Sequence, residues 1–513
     1  MANVGILTMN LRENMGGILQ AYALYKKVEQ LGHTPILFRL SRDESPLKRM
    51  LRKVMERNPF AGIYDHNHIH QRFLNCQPMC DFVDRAFSRK TKIVSSEKDF
   101  ITTGNALDAI IVGKFAGKDA FAAIESVMSF QRLPVSFFIG LSSGATIIIS
   151  QYFGAKEKDD VSKASHTAML FAIVGGLILS ILSCLLSPYF IGLIKVPQKI
   201  FHEAYIYTFI CFSGMVFSMI YNIGSGILRA LGNSKTPFHI LIFANILNIV
   251  LDLIFVINFN LSVVGVGLAT LISQIVSAIL VFVVLMRTNL DCRIYIKKLT
   301  FYKKYLKKIF VLGLPIAIQS VIYPIANTTI QSKINMFGVN SIAAWAISGK
   351  LDFLIWSVSD AFCISSSTFV AQNYGAKKHH RVKKGIISSV IMSISMILVI
   401  SLTLFIWSKD LAPFLIEDRE VIELTSEILS ILAPFYFIYT IGDVLAGAIR
   451  GLGDTFYPML INVLAICGLR LLWIFFVFPL NPTFFMILYG YLISWTVNTI
   501  AFLIYIYFKR KKI

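Results

Sequence analysis

The sequence predicts an all-α polytopic membrane protein built of two parallel six-helix repeats, the first helix of the first repeat truncated, with a partial α/β soluble domain ahead of them. Three observations carry that prediction. Hydrophobic residues make up 56% of the 513 and mean hydropathy is +0.66, far from the balance of a water-soluble globular chain. From residue 126 onward, apolar runs long enough to cross a bilayer recur between short basic or turn-rich breaks. Finally, distinctive motifs of the first half return in the second half at one constant offset.

The runs place spans near 127–150, 166–187, 204–228, 238–259, 262–286, 308–331, 347–371, 385–407, 425–449, 457–479 and 484–508, eleven in all. A formal charge of +20 in a soluble chain would point to nucleic acid. Here most Lys and Arg past residue 150 sit in the breaks, so no nucleic-acid partner is expected and the charge speaks for orientation. The loops around GAKEKDD, RALGNSK, RTNLDCRIYIKKLTFYKKYLKK and GAKKHHRVKK and the tail KRKKI fall on one side, whereas SKDLAPFLIEDREVIE on the other is acidic. That puts the basic loops and the C-terminus in the cytoplasm. The seven cysteines are scattered and mostly within apolar runs, which reads as core packing and not as a disulfide framework.

SQYFGAKEKDDVSKA matches AQNYGAKKHHRVKKG, pairing Gln151 with Gln372, and GILRALGNSKTP matches GAIRGLGDTFYP, pairing Arg229 with Arg450. Both offsets are the same, 372 − 151 = 221 and 450 − 229 = 221, and Gly117 with Gly338 repeats it. Two like-oriented halves of this kind are the arrangement of a parallel-repeat transporter with its substrate path between the lobes. The offset also exposes a gap. The counterpart of the helical segment 307–338 is 86–117, AFSRKTKIVSSEKDFITTGNALDAIIVGKFAG, of which only the last third is apolar.

The first hundred residues differ in composition. VGILTM and TPILFRL read as strands, and ILQAYALYKKVEQLG between them has the apolar spacing of a helix, which makes one Rossmann-like β-α-β unit. Nothing at the N-terminus has the basic start and apolar core of a signal peptide, so this part is expected to be made for the cytosol. His66, His68, His70, Cys76 and Cys80 are zinc-ligand types, but their spacing fits no standard finger and coincidence in a solvated segment is the simpler reading. NMGGILQAYAL resembles the N-terminal motif of the polysaccharide pyruvyl transferase family, with Gly17 standing where that family often has Ala. The resemblance covers about residues 3–112 and then stops, leaving out much of the enzyme's substrate site, so no pyruvyl transfer is expected. The join near DAIIVG reads as a junction of two unrelated coding units, by natural recombination or by an assembly artefact. The domains follow as 1–104, a partial pyruvyl-transferase-like domain; 105–290, a first lobe lacking most of helix 1; and 291–513, a second lobe.

Charges inside spans are costly and are functional candidates by default. In FHILIFANILNIVLDLIFVINF, Asn248 and Asp252 are four apart and share a helix face, and Thr270 in the next span adds a hydroxyl that could face them. Gln319, Gln131 and Asp443 are further polar residues of apolar runs and candidates for a substrate cavity; Asp443, seven residues before Arg450, could equally form a structural ion pair. Arg132 is out of place in its run and reads as snorkelling from near a helix end.

Beyond residue 105 the chain resembles the multidrug and toxic-compound extrusion (MATE) family. NALDAIIVGKFAGKDAFAAI, GLSSGATIIISQYFGAK, GILRALGNSKTP and NILNIVLDLIF carry the resemblance, with the echoes AQNYGAKK and GAIRGLGDT, and it covers about four-fifths of the protein. It implies an exporter of cationic or amphipathic small molecules in the bacterial cytoplasmic (inner) membrane, exchanging them for inward H⁺ or Na⁺, monomeric, without enzyme activity and with no cofactor besides the coupling ion. It also implies that Asn248, Asp252, Thr270 and Asp108 form the coupling-ion site, where a buried carboxylate takes up a proton at one face and releases it at the other. A polysaccharide or lipid-linked sugar flippase of the same superfamily and a membrane-tethered glycan-modifying enzyme are the alternatives. With eleven spans and a cytoplasmic C-terminus the soluble domain would lie outside the cell, in conflict with its missing export signal; twelve spans would remove the conflict.

Overall fold

A computed structural model describes residues 3–8, 34–39, 118–194, 196–416 and 418–509. The chain divides into two units, Met1–Val94 and Ser95–Ile513. In the first, strands β1 (Asn3–Thr8) and β2 (Thr34–Arg39) pair in parallel from Asn3↔Thr34 to Thr8↔Arg39, as the strand readings expect. A parallel pair needs a crossover, since a tight hairpin can only join antiparallel strands. The helix expected to supply it, the His/Cys segment 66–80 and the junction region lie outside the described residues.

The second unit is helical. Its first half comprises α1 (Lys118–Gly154), α2 (Lys158–Leu193), α3 (Gln198–Ser213), α4 (Met215–Ala230), α5 (Lys235–Leu253) and α6 (Ser262–Arg287). The second half comprises α7 (Lys303–Ile334), α8 (Val339–Leu351), α9 (Phe353–Gly375), α10 (His379–Leu411), α11 (Arg419–Leu432), α12 (Tyr436–Gly451), α13 (Phe456–Leu480) and α14 (Phe484–Lys509). Ten helices among the described residues are long and apolar enough to cross a membrane, or eleven if the pair α3–α4 is one span bent by 40° at Gly214. Each of the eleven spans read from the sequence has its helix here. Long rows of side chains such as Leu177, Ile178, Ile181, Leu182 and Leu185 on α2 stay exposed, as a surface facing lipid requires.

The repeat is legible down to single helix ends. Helices α2 and α10 start at Lys158 and His379, α3 and α11 at Gln198 and Arg419, α4 and α12 at Met215 and Tyr436, each 221 residues apart. The left-handed backbone positions repeat too: Lys156 (φ 62°) with Lys377 (φ 56°), and Gly232 (φ 88°) with Gly453 (φ 90°). The glycines close the α4 and α12 helices, where the left-handed conformation carries no Cβ penalty. The halves differ at one point, because α1 runs unbroken through Gln131 whereas its counterpart is split into α8 and α9 at Asp352, the equivalent position.

Each half has a core, and α7 contributes to both, with Ile309 and Ala317 in the first and Ile330 and Ile334 in the second. Phe138, Met169, Met219, Tyr221 and Val281 are central to the first, and Ile355, Leu432, Tyr436, Leu488 and Trp495 to the second. Between halves, α1 and α7 come together through glycines. A Cβ on Gly140 would lie 2.6 Å from the Ala317 Cα, and one on Gly144 2.5 Å from the Gly313 nitrogen, so the two backbones meet with no side chain between them. The link from α6 to α7 folds back on α2: the Tyr295 amide donates to His166 Nε2 (3.0 Å), the Thr167 hydroxyl to the Thr300 carbonyl (3.3 Å) and Lys304 Nζ to Asp160 (3.2 Å). Cys292 is sealed beneath that link, and burial pushes its thiol up to about 12. With so little thiolate at pH 8, Cys292 is expected to resist maleimide in the folded protein and to react in denaturant. Mass spectrometry of labelled peptides checks this, and rapid labelling of the native chain would show that the link is open.

Candidate functional site

Helices α5 and α6 form a hairpin around the turn Phe259–Leu261 and pack against each other, which brings the middle of one level with the middle of the other. Asn248 and Asp252 lie one turn apart on the inward face of α5, 6% and 0% exposed. Thr270 sits half-buried on α6 at the matching depth. Asp108 lies outside the described residues.

The buried face holds more polar groups than the sequence reading picked out. Asn245 precedes Asn248 by three residues, and Ser273 and Gln274 follow Thr270 at three and four, so each helix contributes a stripe. The Asn245 and Asn248 amide nitrogens, the Thr270 and Ser273 hydroxyls and Gln274 Oε1 are all buried without a hydrogen-bond partner among the described residues. Buried polar groups left unsatisfied cost about 1–3 kcal/mol each, so a cluster of them is a place that an ion or ordered water would stabilise. The helical spacing could have flagged Asn245, Ser273 and Gln274; their type, common in small-residue helix packing, hid them. Gln274 lies against the α3–α4 bend, since a Cβ on Gly214 would come 2.5 Å from Gln274 Oε1.

A second polar group lies in the other half. Arg450 on α12 donates from Nη2 to Gln319 Oε1 on α7 (3.0 Å) and from Nη1 to the Cys363 sulfur on α9 (3.8 Å). Separately, Ser359 on α9 donates to Asp443 Oδ2 on α12 (3.3 Å), so Gln319 and Asp443 each take part in a hydrogen bond between helices of the second half. Gln131, the third cavity candidate, bonds within the first half instead, from Nε2 to the Thr208 hydroxyl on α3 (3.2 Å). Arg132 is exposed and lies alongside Met128.

The sequence reading missed Asp352 altogether. Its carboxylate accepts from Trp356 Nε1 (2.9 Å) and the Tyr436 hydroxyl (2.8 Å) within a box of aromatic rings that includes Tyr439 and Trp495. Alongside it, Arg470 stacks 4.0 Å from the Tyr491 ring centre and donates to Ser494 (2.8 Å). Asp352 was hidden because the apolar run over 347–371 reads as one unbroken span. Among the described residues no three His, Cys, Asp or Glu side chains come together as a metal site would need.

The comparisons agree with this architecture. The Probable multidrug resistance protein YoeA of Bacillus subtilis (strain 168) is 26% identical over 377 residues, 72% of this chain and 81% of that protein. The Multidrug export protein MepA of Staphylococcus aureus (strain MSSA476) is 26% identical over 332 residues, 63% of this chain and 72% of that one. In fold, the chain is similar to the outward-facing conformation of a multidrug resistance MATE family transporter of the MOP superfamily, with a TM-score of 0.75 at 18% identity, covering 81% of this chain and 93% of the other. The sequence model of the MatE family matches residues 99–254 and 315–476, one stretch in each half and more than half of the chain together. The chain belongs to the MatE family.

Proposed function

We propose that residues 105–513 are a cation-coupled antiporter that exports drug-like or cationic organic compounds across the cytoplasmic membrane, with 105–290 and 291–513 as its two lobes. The polar stripes on α5 and α6 around Asp252 carry this reading. A fully buried carboxylate beside amide and hydroxyl groups with unused bonding capacity suits a cation that enters without its full hydration shell. Both H⁺ and Na⁺ fit, the proton on the carboxylate and Na⁺ among the Asn248, Asp252 and Thr270 oxygens. Drug-like cargo is supported by the relatives YoeA and MepA, both named for multidrug resistance or export, and this favours export of small molecules over a sugar flippase. Gln319 with Arg450, and Asp443 with Ser359, line the cargo path in the second lobe. The basic loops between spans face the cytoplasm, and the chain works as a carrier and not as an enzyme. Residues 1–104 remain from a pyruvyl-transferase-like domain and take no part in transport.

Purified protein with its first helix restored, in liposomes loaded with a fluorescent lipophilic cation, tests this, since loss of that helix impairs the chain as it stands. Imposing a tenfold inward gradient of H⁺ or of Na⁺ should shift the steady-state dye ratio about tenfold for one of the two ions, as one-for-one exchange requires. A ratio indifferent to both ions would refute coupled antiport.

A further inference from the structure

The two halves grip each other at the ends nearest the basic loops, and they do so reciprocally. Gln151, in the last turn of α1, donates from Nε2 to the Gly451 carbonyl at the end of α12 (3.0 Å). Gln372, in the last turn of α9, donates from Nε2 to the Ala230 carbonyl at the end of α4 (2.8 Å). Both pairs are repeat equivalents, since 151 and 372 differ by 221 and so do 230 and 451. The same residues bring the backbones together: a Cβ on Gly154 would run into the Gln372 carbonyl, and one on Gly375 into the Gln151 carbonyl. Thus each glutamine uses its amide to cap a helix of the opposite half and its backbone to seat the opposite glycine.

The chemistry is that of a contact made to open. The last carbonyls of a helix have no partner within it, so Ala230 and Gly451 need an outside donor, which water can replace once the halves part. Neutral amide bonds of this kind exchange with water at small net cost, unlike a desolvated ion pair. Because the two bonds are related by the repeat and lie across one interface, separation of the halves breaks both together.

We infer that Gln151 and Gln372, with Gly154 and Gly375 as their seats, form a two-part latch that holds the cytoplasmic ends of the lobes shut and must release in every transport cycle. This rests on the two-lobe transport reading above, with the basic loops in the cytoplasm. In that reading the latched chain takes up ions and releases cargo on the outer side, and the unlatched chain admits cargo from the cytoplasm.

Hydrogen–deuterium exchange of the full chain in lipid nanodiscs tests the latch without any transport measurement. Gln151→Leu and Gln372→Leu keep the side-chain volume and remove the donor. Each should speed exchange in both 151–161 and 372–382 by roughly fivefold, the size of one neutral hydrogen bond, and the double variant by roughly 25-fold. The cores around Met219 and Tyr436 should exchange at the parent rate. Gly154→Ala, which blocks closure sterically, should give the double variant's pattern. Unchanged exchange at both helix ends would overturn the latch, and so would faster exchange throughout the protein, which would make the glutamines ordinary packing residues. Exchange is read without an ion gradient, so failure of the coupling reading is seen separately: ion-driven flux can be absent while both helix ends still respond to Gln151→Leu and Gln372→Leu, and flux can persist while neither end responds.

Discussion

In a chain with its first helix restored, Asp252→Asn is expected to abolish ion-driven exchange. Asparagine has the same shape and keeps an acceptor, but it neither titrates nor attracts a cation, and it leaves the neighbouring Asn248 and Thr270 groups facing an uncharged seat. Losing one partner of a buried charge pair costs ~3 kcal/mol, roughly 100-fold in ion affinity, so coupled flux should fall to about a hundredth of the parent rate. The fold should survive, because removing a fully buried charge relieves a desolvation cost. Flux in liposomes and a thermal melt of the same sample decide the matter: parent-level exchange with an unchanged melt would remove Asp252 from the mechanism.

Repair of the first helix should have the other large effect. The second repeat has the 32-residue helix α7, whereas the matching stretch of the first offers apolar sequence only from about Asn105 to Phe115. About eleven helical residues reach ~16 Å, against a hydrocarbon core of about 30 Å. In the proposed reading, a lobe short of half a helix would expose polar faces to lipid and leave Asp108 without a partner helix to fix it opposite Asp252. The chain as it stands is therefore expected to confer little or no drug resistance. Replacing residues 1–104 with a basic start and a half-helix copied from LGLPIAIQSVIYPIA should restore efflux in a sensitised bacterium. Equal resistance from the original and the repaired chain, at equal expression, would show that the short segment suffices.

Much of the membrane architecture could be read from the sequence because lipid leaves few choices: each apolar run must close its own backbone hydrogen bonds, and each became a helix. The 221-residue offset went further, since it anticipates paired helix starts such as Lys158 and His379 that hydropathy alone cannot place. Hydropathy was blind to breaks inside apolar runs. Gly214 bends α3–α4 and Asp352 splits α8 from α9 without lowering the average of the window enough to show. The α5–α6 stripe was legible where a charge marked it, at Asp252 and one turn away at Asn248, and illegible at Gln274, whose place against Gly214 depends on how three helices meet. Gln151 and Gln372 stood out as a repeated pair, but that each reaches into the opposite half is a property of the assembled lobes.

The unequal contents of the two halves bear on the energetics of the cycle. The positions equivalent to Asn248, Asp252, Thr270 and Gln274 in the second half are Leu469, Trp473, Tyr491 and Trp495, so apolar and aromatic side chains stand in place of the polar stripe, and Trp495 packs with Trp356, Tyr436 and Tyr491. In the coupling reading proposed above, one half of the duplicated fold seats the cation and the other has no carboxylate at the equivalent place. A chain with a single such seat would carry one monovalent ion per turnover, and against a monovalent organic cation that exchange would move no net charge across the bilayer. Its driving force would then be the ion's concentration ratio alone, and the membrane voltage, worth about 2.3 kcal/mol per charge for each 100 mV, would neither help nor hinder it. Neutral or divalent cargo would make the same carrier electrogenic.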